Sequence, residues 1–241
     1  EKKGFWYNLG IEAGGPLYTG LFLWLREKMN ATNKKVFFLS RDGYNLYKIC
    51  KDAGYTNVEY LYTSRRSLVL AGITEINETV MKDLPPYTRG QTVEDILNYL
   101  CIPIEQIKHL KEAGFESEKT VIKTQEDVEN FQKLYVLDQE VFLKRCQYER
   151  ENAIKYFKST GFLDQDSIVF DCGWSGSSQH LLDRLKHAIG CSYSNYFYYF
   201  AIRNTRKSHI QLHNKWYDTY AFDCHKNFAL QRNVSENIVM Y

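Results

Sequence analysis

Residues 167–184 read S-I-V-F-D-C-G-W-S-G-S-S-Q-H-L-L-D-R. The apolar run at 168–170 is bounded by polar residues, which predicts a short buried strand. The acid Asp171 ends this run, and a loop with two glycines and three serines follows it. Three leucines then recur at helical spacing: Leu181, Leu182 and Leu185. Strand, Gly/Ser loop and helix start together form an arrangement that binds phosphate, because backbone amides and the helix dipole favour an anion there.

The same loop has a second interpretation. Serines cap helices, so the segment could be a plain strand-to-helix turn. It is not a Walker loop, because no Gly-Lys-Ser/Thr is present, and it lacks the G-x-G-x-x-G spacing of a dinucleotide fingerprint.

Composition sets wide limits on the class of protein. The 241 residues suffice for one large domain or a domain with a sizeable insertion. A formal net charge of +2 gives no reason to expect nucleic acid as a partner. The six cysteines form no C-x-x-C pair, which argues against a zinc cluster or a disulfide framework and favours a reducing compartment. The apolar run at 21–25 is too short to span a bilayer, so no transmembrane segment is expected.

The first 70 residues alternate between helix and strand signals. After an irregular, Gly-rich start at 1–15, the pattern predicts a helix at 16–29, a strand at 36–39, a helix ending near Gly54, and a strand at 58–62. This alternation is typical of an α/β sheet with mostly parallel strands.

Between 73 and 160 the strand signals fade and helix signals dominate. Thr92 precedes one helical run, and Thr124 with Asp127 has the form of a capping box. We therefore predict an α/β core at 1–72 and 161–241 that carries a helical insertion at 73–160. A separate helical domain is the alternative. Beyond the Gly/Ser loop, 195–202 predicts a strand, 204–215 a loop, and 216–241 stay unassigned.

Three predicted strands end in polar side chains. Arg41 and Asp42 follow the first strand, Arg65 and Arg66 the second, and Asp171 the third. If the strands are parallel, these groups converge where open α/β sheets bind ligands. Arginines suit a pyrophosphate, the Gly/Ser loop suits a second phosphate, and a carboxylate suits sugar hydroxyls or a hard metal ion. Phosphoribosyl pyrophosphate has all these parts.

The motifs also carry a resemblance. I-V-F-D-C-G-W-S-G-S-S-Q-H-L-L resembles the phosphoribosyl-pyrophosphate loop of type I phosphoribosyltransferases. Asp171 matches an acid of that loop, although the usual acid pair is one acid beside Cys172 and serines replace threonines. F-L-S-R-D-G is similar to the first pyrophosphate-contacting loop, and Y-T-S-R-R-S falls where that fold has a further one.

These motifs, together with G-P-L-Y-T-G-L-F-L-W-L, resemble a phosphoribosyltransferase-like domain of bacterial capsule and O-antigen proteins. Those proteins often carry a haloacid-dehalogenase-type phosphatase and are often labelled as hydrolases of that superfamily. The resemblance implies a type I phosphoribosyltransferase-like, Rossmann-like fold. It also implies a glycosyltransferase that moves ribose 5-phosphate from phosphoribosyl pyrophosphate to a glycan hydroxyl, with Mg²⁺ as cofactor. A fused or neighbouring phosphatase would then remove the 5-phosphate. The expected location is the cytoplasm, with the inner membrane face as an alternative, and the insertion would lie on the acceptor side.

The roles of single residues follow from the side chains at the three strand ends and from the resemblance. The predicted pyrophosphate-binding residues are Arg41, Gly43, Arg65 and Arg66. The predicted ribose 5-phosphate-binding residues are Asp171, Gly173, Trp174, Ser175, Gly176, Ser177 and Ser178. The predicted catalytic residues are Arg41, Asp42 and Asp171. Asp42 is the first candidate for the base, and Asp171 is also the predicted metal ligand. Asp42 could instead cap the next helix, and Trp174 could pack the loop or stack on a sugar.

Other functions use the same residues. L-S-R-D-G-Y-N-L could be a degenerate haloacid-dehalogenase motif, with Ser40 where the nucleophilic aspartate belongs. Without that nucleophile no aspartyl-phosphate forms, which argues against a working phosphatase. A non-catalytic glycan- or nucleotide-binding module and a structural scaffold are the remaining alternatives.

Overall fold

The computed structural model of the chain describes residues 4–87, 89–203 and 217–223. These residues form two compact units. The first takes its described residues from Glu1–Thr63, Lys158–His180 and Tyr193–Tyr241, and the second from Ser64–Phe157 and Leu181–Ser192. The loop predicted at 204–215 lies outside the described residues.

A five-stranded sheet runs through the first unit, and every pair of neighbouring strands is parallel. The strands are β1 (Lys35–Leu39), β2 (Val58–Leu61), β3 (Ser167–Asp171), β4 (Asn195–Ile202) and β5 (Tyr217–Asp223). Their order across the sheet is β2-β1-β3-β4-β5. The predicted α/β class with a mostly parallel sheet is therefore confirmed, and it is consistent with a Rossmann-like fold.

The central strands explain why short apolar runs were sufficient to find them. In β1, Val36, Phe37, Phe38 and Leu39 are all buried, and in β3 the residues from Ser167 to Phe170 are buried as well. Strands of a parallel sheet that are covered on both faces read as continuous apolar runs. The strand predicted at 195–202 has the bounds of β4, whereas β5 was missed because its residues mix tyrosines with aspartates.

The first unit begins with helical backbone. Helix α1 (Phe5–Leu9) runs through a π-helical turn at Gly10–Gly14 into α2 (Gly15–Asn30), and α2 buries Leu21, Leu25 and Met29 against the sheet. The prediction that 1–15 is irregular is wrong for residues 5–14, because Gly10 and Gly14 adopt ordinary helical dihedrals. Glycine lowers helix propensity without forbidding the helix. Helix α3 (Tyr44–Asp52) follows β1.

The second unit is helical. Its helices are α4 (Arg65–Val69), α5 (Glu78–Met81), α6 (Val93–Tyr99), α7 (Gln125–Leu137) and most of α8 (Gln139–Thr160). Thr92 with Asp95 and Thr124 with Asp127 form capping boxes, so the predicted helix starts are confirmed. Helix α9 (Ser177–Ala188) begins in the first unit and ends in the second. Whether 73–160 is an insertion or a separate domain stays a prediction.

No helix among the described residues is both long and apolar enough to cross a bilayer.

Candidate functional site

The strand order creates a topological switch point in the first unit. The chain passes from β1 to β2 on one side and later enters β3 on the other side of β1. Open α/β sheets bind ligands outside the carboxyl ends of their strands at such a point. The segments after β1 and β3, residues 40–43 and 172–176, lie on either side of it.

The segment after β1 is fixed by Ser40. The Ser40 hydroxyl donates to the Thr63 carbonyl at 2.6 Å and accepts from the Thr63 amide at 2.8 Å. The Ser40 amide donates to the Leu61 carbonyl at 2.9 Å. These three bonds join the carboxyl ends of β1 and β2, and they leave Arg41 and Asp42 exposed beyond them.

Gly43 lets the chain turn back sharply after β1. A Cβ at this position would lie 2.6 Å from the Leu39 carbonyl oxygen, so a side chain cannot be accommodated without moving the backbone. The Ser40–Arg41 peptide bond is cis. Within the described part of the chain, no hydrogen bond or ion pair engages the side chain of Arg41 or of Asp42, and both side chains are available to a ligand.

The carboxylate of Asp171 is the centre of the segment after β3. It accepts a hydrogen bond from the Gly173 amide at 2.8 Å and another from the Ser178 side chain. Burial nevertheless raises the pKa of Asp171, the two hydrogen bonds lower it, and the negative charge of Asp42 raises it further. The structure therefore brings together the two carboxylates that the sequence singled out.

Gly173 is required by this carboxylate. A Cβ on Gly173 would lie 2.9 Å from each carboxylate oxygen of Asp171. The loop therefore folds back over the acid at a position without a side chain, and binding of ribose 5-phosphate by Gly173 stays a prediction.

The Gly/Ser loop then leads into α9. Gly176 has φ of +71°, which glycine adopts without strain. The Ser175 and Ser177 hydroxyls lie 2.7 Å apart, and α9 begins at Ser177, so hydroxyls and helix-start amides occupy one short segment. A hydroxyl pair at the start of a 12-residue helix can donate to a phosphate.

Trp174 packs against β4 and is partly exposed, and stacking of its ring on a sugar stays a prediction. Its carbonyl accepts from the Arg203 amide at 2.8 Å, and its ring meets the edge of Phe200 at 6.3 Å between centroids. The side chain is 39% exposed, so part of its surface remains open to solvent beside this contact with β4.

Cys172 does not act as a nucleophile in this environment. Burial raises the pKa of the Cys172 thiol to about 12, and the charges of Asp171 and Asp42 add to the effect. The reactive form of cysteine is the thiolate, which is scarce at neutral pH when the pKa is so high.

Arg65 and Arg66 belong to the second unit, where they begin α4. The Arg66 guanidinium donates to the Tyr99 carbonyl and to Cys101 Sγ, both at 3.1 Å, and lines a pocket of about 200 Å³. Part of its hydrogen-bonding capacity is thus used within the second unit. That Arg65 and Arg66 bind the same pyrophosphate as Arg41 stays a prediction.

Metal binding in the first unit depends on its acids. Among the described residues, no group of three or more His, Cys, Asp or Glu side chains could hold a metal ion. Mg²⁺ needs less from a protein, because it is often bound by one or two carboxylates together with substrate phosphates. Asp171, with the charge of Asp42 beside it, fits that requirement, because a cation would relieve the repulsion between the two acids.

Sequence reasoning missed two supports of the site. One is the pair of hydrogen bonds between Ser40 and Thr63, which no local sequence pattern predicts. The other is a buried hydrogen bond from the Tyr199 hydroxyl to Gln179 Oε1 at 3.1 Å, which ties the first turn of α9 to β4. A glutamine just inside a predicted amphipathic helix was the available signal for the second.

Comparison with known proteins does not identify the family. No family model matches the chain, and no curated protein sequence matches it. The functional assignment therefore depends on the residues and geometry of the site.

Proposed function

We propose that the first unit binds phosphoribosyl pyrophosphate and transfers its ribose 5-phosphate to a hydroxyl of a glycan, with release of pyrophosphate. The observation that carries the proposal is that the parallel neighbours β1 and β3 end side by side at the switch point. Arg41 and Asp42 follow β1, and β3 ends in Asp171, which a Gly/Ser loop and a helix start follow. A carboxylate pair next to an anion-binding turn suits a ligand in which sugar hydroxyls lie between phosphates.

Each part of the donor has a counterpart in the first unit. The hydroxyls of Ser175, Ser177 and Ser178 and the first amides of α9 would bind the 5-phosphate. Asp171 would accept hydrogen bonds from the ribose hydroxyls. The exposed guanidinium of Arg41 would bind the pyrophosphate through paired hydrogen bonds.

In the transfer step the bond between C1 and the pyrophosphate oxygen breaks, and the acceptor oxygen bonds to C1. The carboxylate of Asp42 accepts the proton of the acceptor hydroxyl, and pyrophosphate leaves with the bonding electron pair. Catalysis is then mainly positioning and charge stabilisation around an oxocarbenium-like sugar. Attack opposite the leaving group converts an α donor into a β-ribofuranosyl product.

Mg²⁺, when bound, would neutralise charge on the leaving pyrophosphate. Asp171 is the residue that would hold it, with Asp42 beside it. A raised carboxyl pKa favours this role, because a group whose charged form is destabilised gains most from a nearby cation.

The phosphatase alternative is less well supported. The Ser40 hydroxyl, at the position of the missing nucleophile, is engaged by Thr63 in both directions. The high pKa of Cys172 argues against a thiol replacing it. The transferase product would keep its 5-phosphate, and a fused or neighbouring phosphatase would remove it. Synthesis would take place in the cytoplasm.

The test is donor binding together with turnover. Calorimetry with phosphoribosyl pyrophosphate and Mg²⁺ measures binding, and pyrophosphate release in the presence of candidate glycans measures transfer. Arg41→Ala should weaken donor binding about tenfold or more, because a charge-assisted hydrogen-bond pair is lost. Arg26→Ala is the matched control, since Arg26 is an exposed arginine of α2 in the same unit.

Three results distinguish the candidates. Binding with glycan-dependent pyrophosphate release supports the transferase. Binding without release in any glycan supports a binding module instead. Absence of binding, or equal binding by wild type and Arg41→Ala, contradicts the site assignment.

A further inference from the structure

Four tyrosines form a cluster in the first unit beside the segment after β1. The tyrosine cluster comprises Tyr44 and Tyr47 of α3, Tyr60 of β2, and Tyr62 just after β2. Tyr60 is its centre: its ring meets those of Tyr62 at 5.0 Å, Tyr44 at 5.3 Å and Tyr47 at 5.8 Å between centroids. The Tyr44 and Tyr62 rings both contact it edge to face, a preferred arrangement of aromatic pairs.

The outer members of the cluster are exposed to an unusual degree for large aromatic side chains. Tyr62 is 74% exposed and Tyr44 is 48% exposed, whereas Tyr47 and Tyr60 are half-buried beneath them. Single exposed aromatics are common on protein surfaces, but a contiguous group that is held in place by its own ring contacts is typical of a binding surface.

The cluster adjoins the candidate base. The Tyr60 hydroxyl lies 3.5 Å from the Arg41 carbonyl oxygen, in the backbone that carries Asp42. Burial raises the pKa of Tyr60, a hydrogen bond with Ser40 lowers it, and the nearby charge of Asp42 raises it again. A molecule that rests on Tyr44 or Tyr62 is therefore close to the carboxylate that we assign to proton removal.

The chemistry of this surface selects its ligand. Aromatic faces carry partial negative charge and attract the polarised C–H bonds of a sugar ring, while phenolic hydroxyls can donate to or accept from ring hydroxyls. None of the four tyrosines carries a positive charge, and Arg41 in the adjoining segment is assigned to the pyrophosphate. The cluster thus differs from the Gly/Ser loop, whose hydroxyls and amides suit phosphate.

We propose that the tyrosine cluster is an acceptor subsite, which binds a neutral sugar ring of the glycan by stacking on Tyr62 and Tyr44. This inference rests on the proposed transferase function, and it assigns the acceptor to the β1–β2 side of Asp42 and the ribose 5-phosphate to the β3 side. The hydroxyl that attacks C1 then approaches across Asp42.

The experiment measures sugar binding without the donor. Saturation-transfer NMR with the wild-type protein uses a panel of methyl glycosides of neutral hexoses, 6-deoxyhexoses and N-acetylhexosamines, with adenosine and uridine as aromatic competitors. We expect saturation of one face of at least one glycoside. Tyr62→Ala should weaken that affinity about three- to tenfold, the usual contribution of one aromatic contact.

Tyr193→Ala is the matched control, because Tyr193 belongs to the same unit and its 45% exposure is close to that of Tyr44. Thermal unfolding of each variant verifies that the fold is retained. Saturation of no glycoside, saturation of nucleosides alone, or equal loss in Tyr62→Ala and Tyr193→Ala would overturn the proposal.

Calorimetry with phosphoribosyl pyrophosphate separates this inference from the function on which it rests. Donor binding that persists in Tyr62→Ala while glycoside binding weakens supports both. Donor binding without any tyrosine-dependent glycoside binding overturns the subsite alone. Glycoside binding with no donor binding overturns the transferase, and the role of the cluster as an acceptor subsite fails with it.

Discussion

Two acids of the helical unit, Asp83 and Asp138, and one acid of the sheet unit, Asp171, have opposite surroundings. In the helical unit, Asp83 is nearly buried and accepts from Arg184 Nη1 at 2.7 Å. Asp138 is also buried, and it accepts from the Lys108 and His109 amides and lies 2.9 Å from His109 Nδ1. In the sheet unit, Asp171 has two hydrogen bonds but faces the like charge of Asp42. Within the described residues, no cation forms an ion pair with Asp171.

The contrast separates structural acids from functional ones. The chain itself supplies partners for both acids: a guanidinium for Asp83, and two backbone amides and an imidazole for Asp138. Asp171 is desolvated and repelled, which costs stability, and a cation or a set of ligand hydroxyls would remove that cost. Perturbed carboxyl groups in a crevice are therefore candidates for function, whereas paired ones are generally part of the framework.

Asp171→Asn is expected to have the largest effect, a loss of activity without a loss of stability. Asparagine can still accept from the Gly173 amide, so the loop should keep its conformation. The charge needed for ribose and metal is lost, and pyrophosphate release should fall about 10²–10³-fold. A coupled pyrophosphate assay measures the rate, and thermal unfolding at neutral pH should find the variant at least as stable as wild type. A large loss of stability would mean that Asp171 is a structural acid like Asp83.

Asp83→Asn should have the reverse outcome. It leaves the Arg184 guanidinium buried without its counter-charge, and the free energy of unfolding should fall by about 3 kcal/mol. Urea unfolding measures this loss. Arg184→Met in the same chain should restore part of it, because the uncompensated charge is removed. A loss below about 1 kcal/mol, the value of an exposed pair, would contradict the distinction drawn between the two acids.

Gly173→Ala tests how closely the loop encloses Asp171. The new methyl group would lie 2.9 Å from both carboxylate oxygens, and accommodating it should cost about 1–3 kcal/mol and displace the acid. Gly10→Ala is the control, since nothing lies within 4 Å of a Cβ there and its backbone is helical. That control should be neutral or slightly stabilising. Equal unfolding midpoints for both variants would argue against close packing over Asp171.

The smallest expected effect is a pH dependence of stability. Because the pKa of Asp171 is raised above its ordinary value of 3.8, the folded state binds this proton more tightly than the unfolded state. The stability contributed by the protonated acid is present below pH 3.8 and is lost as pH rises through the folded-state pKa. The Asp171→Asn variant should therefore gain in melting temperature over wild type as pH increases from acidic to neutral, as measured by differential scanning calorimetry. A gain that is constant with pH would exclude ionisation of Asp171 as its cause.

The local sequence pattern was sufficient to predict most strands of the sheet and the helix starts. β1, β3 and β4 are apolar runs bounded by polar residues. The capping boxes at Thr92 and Thr124 can be recognised from residue types and spacing alone. The local sequence pattern failed at residues 5–14, where glycines occur within a helix, and at β5, where tyrosines and aspartates are mixed. The conformation of β5 depends on a neighbour that is distant in sequence, its parallel partner β4. Residues 5–14 are helical although none of them is buried.

What the sequence by itself determined is the set of chemical groups: a Gly/Ser loop after a strand, an acid before it, and Arg41 with Asp42 after another strand. Only the tertiary structure decided that β1 and β3 are neighbours, that Asp42 therefore acts on Asp171, and that tyrosines from α3 and β2 gather beside them. The physical reason is that backbone conformation follows from local propensity and periodicity, whereas the field and the solvent exposure at a side chain depend on strand order, which arises from long-range packing.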